Sequence, residues 1–128
     1  MCNVIQSQED IQIFLNKTNS LHDGYLTKVQ YTNDGISKTE QGHRFCIEKT
    51  KLHLQIVVTS MYDVVVEIAF EGVLEWQIQN GQWDIEDTTV MFDENGWIVW
   101  SDSACANVDE MRKNSYVIAK SMRWGIVQ

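Results

Sequence analysis

Between residues 63 and 78 the chain alternates apolar and polar side chains with a period of two. Even positions carry Val64, Val66, Ile68, Phe70, Gly72, Leu74, Trp76 and Ile78, and odd positions carry Asp63, Val65, Glu67, Ala69, Glu71, Val73, Glu75 and Gln77. Successive side chains in a strand point to opposite faces, so the segment predicts a half-buried β-strand with Glu67, Glu71 and Glu75 on its wet side. At about 3.3 Å per residue it would run well past the ~20 Å of an ordinary strand, which places a bend or bulge near Gly72. A tight hairpin at Glu71–Gly72 is the rival arrangement.

The same reading assigns the flanking elements. Ser7-Gln8-Glu9-Asp10 is a helix start, with Ser7 as cap and Asp10 answering it from the third helical position. Ile11, Phe14, Leu15 and Thr18 follow at helical spacing and predict one amphipathic helix over residues 8–19. After Gly24 the period becomes two: Tyr25, Val29 and Tyr31 share one face of a strand that ends at Asn33-Asp34-Gly35. Further strands are expected over 44–48 and 52–58, with a turn near Ser60 to Tyr62. A hairpin joins 88–92 to 97–101 through Asp93-Glu94-Asn95-Gly96. Tyr116, Ile118, Met122 and Trp124 are expected on one face of a closing strand, interrupted by Lys120, and residues 103–114 leave room for a helical turn. The predicted fold is α+β, one N-terminal helix packed on a mainly antiparallel sheet of about seven strands, in a single domain over residues 1–128.

Composition narrows the function classes. At 128 residues the chain is large enough to bury a core without disulfide or metal staples. The absence of proline leaves Gly24, Gly35, Gly42, Gly72, Gly81 and Gly96, with Asn and Asp, to make the turns. No apolar run is long enough to span a bilayer, and Met1 to Asp10 lacks the charged and apolar regions of a signal peptide, so the expected compartment is the cytosol. Cys2, Cys46 and Cys105 are odd in number and far apart, which suggests reduced thiols, with Cys46 as a small core residue.

Charge is zoned. Residues 61–110 hold twelve acids and no Lys or Arg, whereas the first sixty balance six acids against six bases and the last eighteen hold Arg112, Lys113, Lys120 and Arg123 with no acid. The net charge of -8 therefore comes from one segment, which favours a basic partner and disfavours nucleic acid. The sheet-face acids have a plain alternative role as a solvated surface relieved by Lys120 or Arg123 across the sheet.

Catalytic and cofactor signals are sparse. His22-Asp23 is the only adjacent His–acid pair, but strand neighbours point apart, and the position before Gly24 suits a turn. His22, His43 and His53 lack the spacing of zinc motifs, so no metal or other cofactor is expected. Ser103 and Cys105 beside Asp102 lie in no nucleophile motif, and no phosphate-binding glycine loop exists. Of the five tryptophans, Trp76 and Trp124 fall at core parity, while Trp97 and Trp100 lie on opposite faces of one strand and offer one exposed aromatic contact.

Leu21-His22-Asp23 before a strand, Trp100-Ser101-Asp102-Ser103 after a hairpin and Ala119-Lys120-Ser121-Met122-Arg123-Trp124 resemble a group of small, mostly uncharacterised bacterial proteins. Some of these resemble immunity proteins that neutralise toxins delivered between neighbouring cells. The resemblance runs over residues 8–125, with Leu21 where an aromatic is frequent, and implies a bacterial cytosolic binding protein without assigning residue roles. The leading expectation is a non-enzymatic binding protein of immunity type that holds a basic partner such as a toxin domain through Glu67, Glu71, Glu75, Asp84, Glu86, Asp87, Trp97 and Trp100. The alternatives are a small-ligand protein or enzyme with a pocket near His22, Asp23 and Asp102, and a homo-oligomer that pairs edge strands.

Overall fold

The computed structural model describes residues 3–79 and 84–127; Cys2, Gly81 and Trp83 lie outside them. The elements are β1 (Asn3–Val4), α1 (Gln8–Lys17), β2 (Gly24–Asn33), β3 (Ile36–Thr39), β4 (Gly42–Phe45), β5 (Thr50–Val58), β6 (Val64–Gln77), β7 (Thr89–Phe92), β8 (Ile98–Ser101), α2 (Val108–Met111) and β9 (Tyr116–Val127). The fold is α+β. A seven-stranded antiparallel sheet has the order β2-β5-β6-β9-β8-β7, with β1 also on β9, and β3-β4 form a separate two-stranded sheet. Of the expected strand over 44–48, Arg44 and Phe45 belong to that small hairpin while Ile47–Lys49 form a 3-10 turn, and β1 supplies the further strand of the main sheet. Cys46 is consequently exposed, not a core residue, because it sits where the hairpin stands away from the core.

α1 forms as its sequence dictates. The Ser7 side chain accepts the Asp10 backbone N–H at 3.2 Å, while Asp10 Oδ2 reaches past Ser7 to accept the Gln6 N–H at 2.9 Å. Ile11, Phe14 and Thr18 are buried, and Phe14 meets Trp124 edge to face with ring centroids 5.3 Å apart. Such an aromatic pair contributes about 0.5–1.5 kcal/mol beyond its buried area. The helix ends before residue 19 because Asn19, Ser20 and Leu21 all turn left-handed, at φ 52, 52 and 56°. Left-handed backbone costs about 1–2 kcal/mol per residue with a Cβ. Complete burial of Leu21 in the core offsets part of that cost.

The long alternating segment is one continuous strand of 14 residues, so the hairpin at Glu71–Gly72 does not form. The bend is there: Gly72 has φ +67°, and a Cβ on it would lie 2.9 Å from Lys120 Cβ and Cγ. The pairing passes from Glu71↔Ser121 to Val73↔Ala119 around this crossing and then skips Leu74. Val73 thereby enters the main core, Leu74 becomes exposed, and Glu75 returns to the outer face opposite Ile118.

The same crossing corrects the expected face of β9. Val117, Ala119, Met122 and Trp124 join the main core with α1, whereas Tyr116 and Ile118 pack with Val99 and Met111 in a second cluster on the other side. A bulge at Thr27 has a similar effect in β2. Tyr25 opposes Val57, whereas Val29 and Tyr31 oppose Leu54 and Leu52, so Tyr25 lies on the opposite face from the other two.

The hairpin of β7 and β8 is as expected. Its turn is held by Asp93 Oδ1, which accepts the N–H groups of Asn95 and Trp97, both at 2.9 Å, with Gly96 at φ +79°. The helical turn within 103–114 is α2. Asn107 caps it by accepting the Glu110 N–H at 2.9 Å, and Glu110 accepts the Ala106 N–H in return. A last contact curls the sheet. The segment leading into β7 returns to the edge strand β2, where Ile85 bridges Gly24 through two 2.7 Å backbone bonds, Asp23 N–H to Ile85 O and Ile85 N–H to Gly24 O.

Gly72→Ala should cost about 2–4 kcal/mol in urea unfolding, combining a left-handed penalty with a clash against Lys120. Gly96→Ala, also left-handed but with open space around it, should lose only about 1–2 kcal/mol. Equal losses would show that the approach to Lys120 is not tight.

Candidate functional site

The acids of the sheet face meet bases from the closing part of the chain. Arg123 on β9 pairs with Glu71, which lies one strand away on β6. Glu75 accepts the Tyr116 hydroxyl at 2.7 Å and the Arg112 guanidinium at 3.2 and 3.3 Å. The Tyr116 bond, followed by Arg112, holds the Glu75 carboxyl below its ordinary pKa. Glu67 lies 3.7 Å from His53 Nε2 and accepts Gln55 Nε2 at 3.4 Å. Lys120 turns away from this stripe to Glu48 and lies 5.3 Å from the centre of the Trp97 ring. The Lys120 bond brings the Glu48 pKa down to about 2.

The remaining acids gather at one end of the sheet. There β6 ends, β8 ends, β9 begins and the segment before β7 crosses over, leaving a cleft of about 630 Å³. Its walls are Asp84, Glu86, Asp87 and Asp102 with Gln79, Ser103, Ala104, Asn114 and Ser115. Among the described residues, this lining holds four carboxylates and no Lys, Arg or His. Burial raises the Asp102 pKa above the ordinary carboxylate range, and hydrogen bonds from Ser115 and Ser103 oppose the shift only in part. Among the described residues no three His, Cys, Asp or Glu side chains are grouped to hold a metal ion.

His22 and Asp23 do come together, which alternation in a strand would forbid. They lie in a turn, where Asp23 has φ +58°, and His22 Nε2 approaches Asp23 Oδ2 to 3.6 Å. His22 Nδ1 is 2.6 Å from the carbonyl of Glu86. That bond, then Asp23, raises the histidine pKa, with smaller contributions from Asp84 and Asp87. Neither His22 nor Asp23 lines the cleft, so the three residues His22, Asp23 and Asp102 do not form one pocket wall.

Aromatic contacts differ from the expectation. Trp100 is 1% exposed and belongs to the main core, and its Nε1 has no hydrogen-bond partner among the described residues. It is therefore not a contact residue, because β8 turns it inward beside Phe70. Trp97 is half-buried against the second cluster under Lys120. Trp76 is 38% exposed instead of buried; it lies beyond the Gly72 bend and stacks on Tyr31 at 5.4 Å. Ser103 Oγ lies 3.4 Å from Asp102 Oδ1, and burial pushes the Cys105 thiol up, away from the reactive thiolate.

No family model, curated protein or solved structure matches the chain. Sequence reading named the acids of the cleft but missed Gln79, Asn114 and Ser115, which strand order alone brings to them. It also passed over Tyr62, the most exposed large hydrophobic side chain among the described residues. The signal was present, since an aromatic in a short turn between two apolar strands has no core to enter.

Because the folded state raises the Asp102 pKa, the ionised carboxylate destabilises it above that pKa, and the penalty vanishes below the unfolded value of about 4. Asp102→Asn should therefore raise Tm at pH 7 and lose that advantage near pH 3.5, followed by circular dichroism melts. A gain independent of pH would disprove the burial penalty.

Proposed function

We propose that this chain is a non-enzymatic binding protein of immunity type, which neutralises a basic partner such as a toxin domain by receiving its cationic side chains in the acidic cleft. One observation carries the reading. Glu71 and Glu75 have guanidinium partners within the chain, whereas Asp84, Glu86, Asp87 and Asp102 line a cleft without a cation among the described residues. The expected interface thus shifts from the sheet face to the cleft. Unpaired carboxylates close together repel one another, and a cationic partner relieves that repulsion on binding. Long-range attraction to the net charge of -8 speeds the encounter.

A fluorescein-labelled nonalysine peptide, followed by anisotropy at about 50 mM salt, tests the location. Neutralising the cleft segment with Asp84→Asn, Glu86→Gln and Asp87→Asn should weaken binding by about ten-fold, roughly 1.4 kcal/mol. The same loss of charge placed elsewhere, by Glu9→Gln, Glu40→Gln and Glu94→Gln, should weaken it less than about three-fold. Equal weakening would reduce the reading to net charge alone. With a co-encoded toxin in place of the peptide, the cleft variant should fail to protect the producing cell while the control variant protects it.

A further inference from the structure

His22 stands behind the wall of the cleft, joined to the backbone of a lining residue. Its Nδ1 lies 2.6 Å from the carbonyl of Glu86, and its Nε2 lies 3.6 Å from Asp23 Oδ2. The junction is fixed by further bonds: Asp23 and Gly24 exchange two 2.7 Å backbone bonds with Ile85, and the Ser60 hydroxyl donates to the His22 carbonyl. Asp87 follows Glu86 directly and Asp84 stands two residues before it, so two acids of the cleft flank the point where the ring attaches.

Both ring nitrogens face oxygen acceptors. A neutral imidazole carries one N–H and can donate to only one of them, whereas the imidazolium donates to both. Carboxylates act on the ring from two elements, Asp23 in its own turn and Asp84 and Asp87 in the segment before β7. The third element at the junction, Thr59–Met61, carries no ionisable side chain. The ring is half-exposed, so its proton exchanges with water. A basic partner in the cleft brings positive charge toward a positive ring, and histidine is the side chain that can give up its charge near neutral pH. The proton then leaves Nε2 for solvent, while Nδ1–H stays bonded to Glu86 and the wall keeps its place.

We infer that His22 is the proton-linked counter-charge of the cleft: its imidazolium balances Asp84 and Asp87 in the free protein, and a basic partner displaces that charge by driving the Nε2 proton into solvent. The inference rests on the reading that the acidic cleft receives a basic protein, and it adds that pH sets the affinity.

The labelled nonalysine peptide keeps its own charge below about pH 9, so a series from about pH 6 to about 8.5 acts on the protein alone. Wild-type affinity should rise about two- to five-fold as pH climbs through the His22 titration and level off above it. His22→Gln, whose amide can still donate to the Glu86 carbonyl, should bind throughout as the wild type does at the alkaline end. His22→Lys, which keeps the charge, should bind weakly throughout. In the wild type, the NMR titration midpoint of the His22 ring protons should fall when peptide saturates the protein. If His22→Gln shows the wild-type rise, or the midpoint stays where it was, His22 has no such role; the cleft reading still stands if the triple cleft variant weakens binding at the alkaline end. If the triple variant binds as the wild type does, both readings fall.

Discussion

Where β6 crosses β9, the backbone at Gly72 comes so close to the Lys120 side chain that a Cβ at position 72 has no room. This close approach organises much of the molecule. It bends the 14-residue β6 and lets the 12-residue β9 serve two cores, with Met122 and Trp124 under α1 and Tyr116 and Ile118 against Met111. Glycine is required for two reasons that reinforce each other, a left-handed φ and the absence of space. The bend also returns Glu75 to the outer face, where Tyr116 and Arg112 can reach it.

Charge distribution follows from this geometry. Twelve acids in one stretch would repel strongly if all faced the same water. Antiparallel pairing of β6 with β9 instead brings Arg123 beside Glu71, and α2 delivers Arg112 to Glu75. Of the acids in this stretch without such partners among the described residues, Asp84, Glu86, Asp87 and Asp102 line the cleft. Surface ion pairs of this kind contribute little to stability, about 0–1 kcal/mol each. Their larger effect is to sort the carboxylates into a quenched stripe and an open cleft.

Much of the fold was legible in the residues. Ser7 and Asp10 announced α1, the alternation from Asp63 to Gln77 announced β6, and Asn95-Gly96 announced the turn between β7 and β8. What stayed hidden depends on contacts distant in sequence. Nothing local tells that Leu74 is skipped in pairing, that Thr27 reverses the face of Tyr25, or that Ile36–Thr39 leaves the main sheet with β4. The acids of the cleft were visible as a charge count, but strand order decides which carboxylates an arginine reaches, and no local pattern encodes strand order. Trp100 illustrates the limit: parity separated it from Trp97, but only the surroundings of β8 show which of the two faces inward.

The pairing of β6 with β9 joins Val65 to Val127, nearly half the chain apart. During synthesis β6 emerges long before the strand that will cover its open edge, and a bare apolar strand is a template for pairing with a neighbouring nascent chain. Glu67, Glu71 and Glu75 punctuate that strand at every second turn of its pleat. Two such strands meeting in register set like charges opposite one another, which disfavours their association. In the finished protein Arg123 and Arg112 neutralise two of these carboxylates; without β9 the same groups carry unpaired charge, which opposes pairing of the open edge with a like strand.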